Sequence, residues 1–219
     1  MKKIDWAVLI LIFSTFIIGI YLYPQLPEQM PIHWNINGEV DDYANKLFAT
    51  FLLPTLNLGI FILFILLPKI DPRKENYQKF TGSYIIIRHS VHLFFVLIFF
   101  ITIYQSLKGT EDIPKYLDVS FIVPFTVSIL IIIMGNYMGK IKDNFFVGIK
   151  TPWTLSSKEV WYKTHRLTSK LYVISGIFGL IGSFFGGVIS FIMLIVPLTA
   201  SSFYAVLYSY LEYRKESNK

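Results

Sequence analysis

The sequence predicts an all-α polytopic membrane protein with six transmembrane helices and both termini in the cytoplasm. Three observations carry that prediction. Hydrophobic residues make up 54% of the chain and charged residues only 16%, where a soluble domain carries about a quarter charged. The apolar residues come in blocks rather than at a helix or strand period, each block long enough for the ~30 Å hydrocarbon layer, which takes about 20 residues per helix. The Lys and Arg residues gather in alternate connecting segments, as the positive-inside rule requires of cytoplasmic loops.

The first block runs from about Trp6 to Tyr23. Its apolar stretch is too long for the h-region of a signal peptide, and Tyr21-Leu22-Tyr23-Pro24 offers no small-residue cleavage site, so it reads as a retained helix. The second block is Leu47 to Leu67, the third Tyr84 to Leu107 and the fourth Val119 to Met138. The fifth is Leu167 to Phe185 and the sixth Val188 to Tyr210. With the N-terminus inside, sixteen of the 20 Lys and Arg residues, from Lys2 to Lys219, fall in inner segments. Only Lys46, Lys108 and Lys115 fall outside, and Arg88 lies near the inner end of the third helix. That placement accounts for the net charge of +6 without direct nucleic-acid binding. The absence of cysteine excludes a disulfide framework, a Cys zinc site and a thiol nucleophile.

Within the spans, Pro54, Pro124 and Pro197 sit in every helix that runs from outside to inside. Each frees the carbonyl four residues earlier and should kink its helix. Proline is also common in membrane helices, and no sequence repeat supports three related hairpins. In the fifth helix Ser175, Gly179, Ser183 and Gly187 recur at four-residue spacing, with Gly182 and Gly186 beside them. Small residues so spaced let another helix approach closely, either within the chain or in a homo-oligomer. The third helix carries Arg88, His89 and His92. Ionisable groups at membrane depth mark a functional interior by default. Alternatively Arg88 snorkels to the lipid phosphates while neutral histidines hydrogen-bond between helices. The acidic residues are read as lying in the loops, which leaves the two histidines without a carboxylate to complete a metal set.

The loops hold more specific patterns. In the outer loop two prolines, Pro27 and Pro31, stiffen an extended lead-in to His33-Trp34-Asn35, and Asn37-Gly38 is a turn ahead of Asp41 and Asp42. Trp34 suits a headgroup-level anchor, and the spacing of His33, Asp41 and Asp42 matches no metal-ligand pattern. In the inner loop, Gly135 to Lys170, an aromatic stretch around Gly148-Ile149-Lys150-Thr151-Pro152-Trp153-Thr154 precedes Ser156-Ser157-Lys158-Glu159. That tetrapeptide fits a capping box with Ser156 as the N-cap and Glu159 at N3. The helix so started puts Val160, Trp161, Thr164, Leu167 and Thr168 on one stripe, with Lys158, Lys163, Arg166 and Lys170 elsewhere. A basic amphipathic lead-in of this kind lies at a membrane interface, while an ordered loop before it is where function tends to sit.

These two loops carry a family resemblance. Pro31-Ile32-His33-Trp34-Asn35, Gly38, Asp41 and the Lys46 before the second span resemble the domain of unknown function 1648. Gly135-Asn136-Tyr137-Met138-Gly139-Lys140, the run from Asn144 to Leu155, and Glu159-Val160-Trp161 with Thr164-His165-Arg166 look like the signature of the SdpI family. The resemblance implies an outer signature of His33, Trp34, Asn35, Gly38, Asp41 and Lys46. It implies an inner one of Asn136, Gly139, Asn144, Gly148, Thr151, Pro152, Trp153, Thr154, Trp161, His165 and Arg166. Lys150 and Asp143 depart from the family pattern, where Arg and often Pro are expected; Lys150 keeps the cation without the planar fork of Arg. The implied organisation is a module over residues 1–67 followed by one over 68–219, with a large basic cytoplasmic loop at 139–166.

The family includes a protein that shields a toxin-secreting Gram-positive cell from its own peptide toxin and holds a helix-turn-helix autorepressor at the membrane. The resemblance therefore implies an immunity and signalling protein of the bacterial cell membrane, with a secreted peptide toxin and a cytoplasmic repressor as partners beside the lipid bilayer, and no cofactor. Trp153 and Trp161 would serve as aromatic anchors for the inner partner. A small transporter or exporter using the kinked helices and the Arg88-His89-His92 cluster is the alternative. A membrane enzyme lacks a nucleophile–base pair or a complete metal set.

Overall fold

The computed structural model describes residues 2–109 and 114–218; Lys219, counted above among the inner cations, lies outside them. Each predicted block is a helix: α1 (Lys3–Leu22), α2 (Lys46–Ile70), α3 (Thr81–Lys108), α4 (Val119–Met138), α6 (Lys158–Ser183) and α7 (Gly187–Ser217), with a short α5 (Pro152–Ser156) in the inner loop. The protein is an all-α polytopic membrane protein. Among the described residues five helical segments are long and apolar enough to cross a bilayer, ending with Gly187–Ser217. The 26-residue α6 is not among them, because its first turns carry Lys158, Glu159, Lys163 and Arg166. Large apolar side chains point away from the protein, Ile17 at 67% and Phe203 at 72% exposure. In water such a surface would aggregate; hydrocarbon is its solvent.

The helices pack as two groups of three. α1, α2 and α3 contact one another, α6 packs between α4 and α7, and α3 meets α4 to join the groups. Val8, Ile12 and Phe61 fill the middle of the first group. In the second, glycines bring the backbones together. A Cβ on Gly176 would stand 2.9 Å from the Ser128 carbonyl oxygen, and one on Gly179 would stand 2.6 Å from Leu194 Cδ1. A Cβ on Gly135 of α4 would stand 2.8 Å from the Val173 nitrogen of α6. On the other side of α6, Ser175 bonds Ser201 of α7 at 2.9 Å. The small-residue stripe thus serves contacts inside the chain, joined by Gly176 of α6 and by Gly135 on the facing α4, neither of which four-residue spacing selected.

Four further expectations are corrected. The outer loop, read only as an extended lead-in and an Asn37-Gly38 turn, is a paired antiparallel hairpin, β1 (Gln29–Trp34) and β2 (Val40–Asn45); its pairing satisfies backbone groups that a loop would leave to water. Ser156 ends α5, and the N-cap of α6 is Ser157, whose side chain accepts the Val160 N–H at 3.2 Å. That shift of one residue places Glu159 at N2, where no capping box can form. The buried stripe of α6 takes in His165 and leaves Leu167 half-buried. Asp5 lies inside α1, not in a loop.

Candidate functional site

Function-bearing side chains fall into three places: the outer hairpin, the inner loop and a polar column between α1, α2 and α3. In the hairpin, Asn35 builds the turn. Its Oδ1 accepts the N–H groups of Asn37 at 2.9 Å and Glu39 at 3.1 Å, and its Nδ2 donates to Glu39 Oε2 at 2.9 Å. Such side-chain-to-backbone bonds are the ordinary way Asn closes a turn. Gly38 adopts φ +83°, and a Cβ there would stand 2.8 Å from Ser120 Cβ. The hairpin tip is therefore seated on the start of α4, where Asp118 caps the helix. Lys46 ties the base, donating to Glu28 at 2.8 Å and lying over the Tyr23 ring. That leaves His33 and Asp41 as exposed chemistry, paired through Nδ1 and Oδ1 at 2.5 Å on a solvent-facing edge. Trp34 is half-buried beside them.

The inner signature is mostly structural. Asn144 is fully buried and all of its amide is used: Nδ2 donates to the carbonyls of Lys142 and Val147, and Oδ1 accepts from Phe146 and Val147 N–H. Thr151 caps α5 through the Thr154 N–H, while Thr154 returns its hydroxyl to the Ile149 carbonyl at 2.8 Å. Pro152 stands at N1, where its missing N–H costs nothing. Thr151 also bonds Ser209 of α7 at 3.0 Å, and Trp153 packs on Tyr210. His165 accepts the Ile149 N–H on Nε2 at 3.0 Å and donates from Nδ1 to the Trp161 carbonyl at 2.8 Å. Burial pushes its imidazole down to about 4, so the ring is neutral. Gly148 is required beneath it: φ is +116°, and a Cβ would stand 2.3 Å from His165 Nε2.

Trp161 is not available as a partner anchor. It is 2% exposed, its indole N–H donates to the Ile141 carbonyl at 2.9 Å, and it stacks on His165. Gly139 lies close against Ser169 of α6. Of the residues singled out in the inner loop, Asn136, Lys150, Pro152 and Arg166 are exposed, as are Phe145 and Tyr162. Lys150 donates to the Phe146 carbonyl and Arg166 to the Tyr162 hydroxyl.

The α2–α3 connection, which the sequence reading passed over, clamps this loop. Asp71 Oδ2 accepts the Phe145 N–H at 3.0 Å and the Tyr77 hydroxyl at 3.1 Å. Arg73 pairs with Asp143 at 3.1 Å and donates to the Leu155 carbonyl at 2.7 Å. The departure at Asp143 thus acquires a partner inside the chain. Asp71-Pro72-Arg73, a charged pair around a proline at a helix end, was the available signal.

In the polar column, Arg88 does not snorkel. It is 7% exposed and pairs with Asp5, whose Oδ1 also accepts from His89 Nε2 at 3.0 Å and whose Oδ2 accepts the Lys2 N–H at 2.6 Å. One turn on, His92 Nδ1 donates to Asn57 Oδ1 at 2.7 Å, and Asn57 Nδ2 reaches the His92 carbonyl at 3.3 Å. Phe61 and Phe64 flank the His92 ring. Asp5 and Asn57 are the members that the sequence reading missed.

An all-α membrane protein with a folded hairpin at one end of its helices and a closed, clamped loop at the other is the class these features define. Residues 140–209 match the SdpI/YfhL protein family and residues 10–58 match the domain of unknown function DUF1648. The two matches cover α5, α6 and most of α7 in the one case, and the hairpin with parts of α1 and α2 in the other. It is similar to "Immunity protein SdpI" of Bacillus subtilis (strain 168), with 29% identity covering 98% of each chain. It is also similar to "Uncharacterized membrane protein YbgB" of the same organism, 43% identical over 54 residues, which are 25% of this chain and 56% of that one. No solved structure matches. Apolar helices and relatives of this kind fit a multi-pass location in a Gram-positive cell membrane.

Proposed function

We propose that the protein is an immunity protein of the cell membrane that protects its host from a secreted peptide toxin, with both termini in the cytoplasm and α6 as the fifth of six spans. The observation that carries this reading is similarity to an immunity protein across 98% of both chains, which covers hairpin, helices and inner loop together. The toxin would be met at the hairpin, where His33 and Asp41 are the exposed polar pair on a braced scaffold. The protein acts by binding rather than catalysis: its buried acids Asp5, Asp71, Asp143 and Glu212 are each engaged by partners inside the chain. A cytoplasmic repressor, if held, would rest on Phe145, Lys150, Tyr162 and Arg166, since Trp161 is closed inside.

The test is expression of the chain in a toxin-sensitive strain challenged with supernatant of a producing relative. Survival should rise, and H33A/D41A should lose that protection while the protein remains in the membrane fraction. Unchanged survival with the wild-type chain sinks the immunity reading. The transporter alternative draws on the polar column beside Arg88. It predicts that H92A abolishes protection at normal protein levels, whereas a binding role at the hairpin leaves H92A protective.

A further inference from the structure

Between the inner ends of α1, α2 and α3 lies a cavity of about 790 Å³, within the size range of small-molecule sites. Ile65, Pro68 and Ile85 give it an apolar wall, Tyr77, Gln78, Thr81 and Tyr84 add neutral polar groups, and its charged lining is Lys2, Lys69, Lys74 and Arg88 against only Asp5 and Glu75. Asp5 is already engaged by Arg88, His89 and the Lys2 N–H. The three lysines are exposed and form no ion pair among the described residues. Arg88 is more than nine-tenths buried, and its Nε has no hydrogen-bond partner among the described residues. A buried guanidinium with an unused donor is costly unless something supplies the acceptor. Beside three unpaired ammonium groups, the missing acceptor is an anion.

We propose that this cavity binds a phosphate-bearing anion, its oxygens facing Lys2, Lys69 and Lys74 with Arg88 behind and its apolar remainder against Ile65, Pro68 and Ile85. The chemistry is shared by the headgroup of an anionic phospholipid and by free phosphate. On the six-span topology proposed above, on which this step rests, the site lies at the cytoplasmic ends of α1, α2 and α3, and basic pockets between helices on that side take anionic headgroups. A mixed wall, cationic on one side and apolar on the other, suits a group that carries both a phosphate and an acyl chain.

Full-length protein in neutral detergent is titrated separately with phosphatidylglycerol, phosphatidylcholine and inorganic phosphate, and bound adducts are read by native mass spectrometry and by thermal unfolding. Phosphatidylglycerol should bind and raise the unfolding midpoint, and phosphatidylcholine should not. K69Q/K74Q, two surface changes that leave the Asp5–Arg88 pair intact, should bind phosphatidylglycerol roughly thirtyfold more weakly, the loss expected for two cation–phosphate contacts. K142Q/K158Q, with the same change in net charge, should bind as wild type. Stabilisation by inorganic phosphate to the same extent, also lost in K69Q/K74Q, supports the anion site and assigns it to free phosphate. Equal binding of phosphatidylcholine, or equal weakening by the two double variants, overturns the proposal.

Discussion

At the scale of single residues, Asp5 and Arg88 form the interaction with the most at stake. Both are buried, with side chains 2% and 9% exposed. Removing one partner of a buried pair strands a charge in a low dielectric and costs roughly 3–5 kcal/mol, whereas replacing both by apolar groups is often near neutral. D5A should therefore lower the unfolding midpoint in detergent by about that free energy, and D5L/R88M should recover most of it. Failure of the double variant to recover would mean that Arg88 serves the adjoining cavity more than the pair. His165 gives a second prediction, with pH as the variable. Its folded pKa, about 4, lies below the unfolded value of about 6.5. The unfolded chain takes up the proton first on acidification, so stability is full above the unfolded value and falls as pH drops toward the folded one. The change amounts to about 3 kcal/mol. Protonation of Nε2 would also repel the Ile149 N–H that it now accepts. Thermal midpoints between pH 7 and pH 4 should fall, and H165Q, which cannot titrate, should flatten that slope. The residue scale is where the sequence was least legible. His165 and Trp161 stand out as polar and aromatic loop residues of the kind that recognise partners, but their burial depends on Gly148 and the Ile141 carbonyl, contacts made across the loop. Asp5 looks like a terminal charge until α3 brings Arg88 beside it.

At the scale of elements, the helices were legible because hydrophobic block length alone specifies a membrane helix, and α4 begins and ends where its block does. The hairpin was not, since Gln29-Met30-Pro31-Ile32-His33-Trp34 has no clean alternation and Pro31 argues against a strand; a two-stranded ribbon tolerates proline because each strand has a free edge. The glycines separate into two kinds that sequence spacing does not tell apart. Gly176 has the backbone of α4 against it, with the Ser128 oxygen at 2.9 Å from a would-be Cβ, while Gly59 of α2 has nothing within 4 Å. A methyl group at the first site must push two helices apart, and overpacking of this sort costs about 1–3 kcal/mol. At the second it only removes backbone freedom from the unfolded helix, a gain of roughly 0.5–1 kcal/mol. G176A should therefore lower the unfolding midpoint and G59A raise it slightly, measured side by side in the same detergent. Equal effects would show that α4 and α6 are not in the close contact described.

At the scale of the whole molecule, the two helix groups are joined at both ends. At the inner end Met138, Ile141 and Trp161 pack against Tyr77, Phe80 and Tyr84 of the α2–α3 segment. At the outer end the hairpin tip rests on Ser120, and a Cβ on Gly187 would stand 3.7 Å from Asn37 Oδ1, so the hairpin bridges α4 and the α6–α7 turn. A ligand on the hairpin would thus touch a surface to which both groups contribute, and this makes the placement of α6 decisive. If α6 crosses the membrane, the turn at Gly186-Gly187 and the hairpin share the outer face and Ser217 lies in the cytoplasm. If α6 stayed at the inner interface, α7 could not begin at the hairpin. The absence of cysteine allows a direct measurement, since each single-cysteine variant carries the only thiol in the chain. N37C, F185C, K150C and S217C are all at exposed positions. In intact cells a membrane-impermeant maleimide should label N37C and F185C and spare K150C and S217C, and permeabilisation should expose the latter two. Labelling of S217C in intact cells would remove one crossing and, with it, the arrangement that sets the hairpin against the α6–α7 turn.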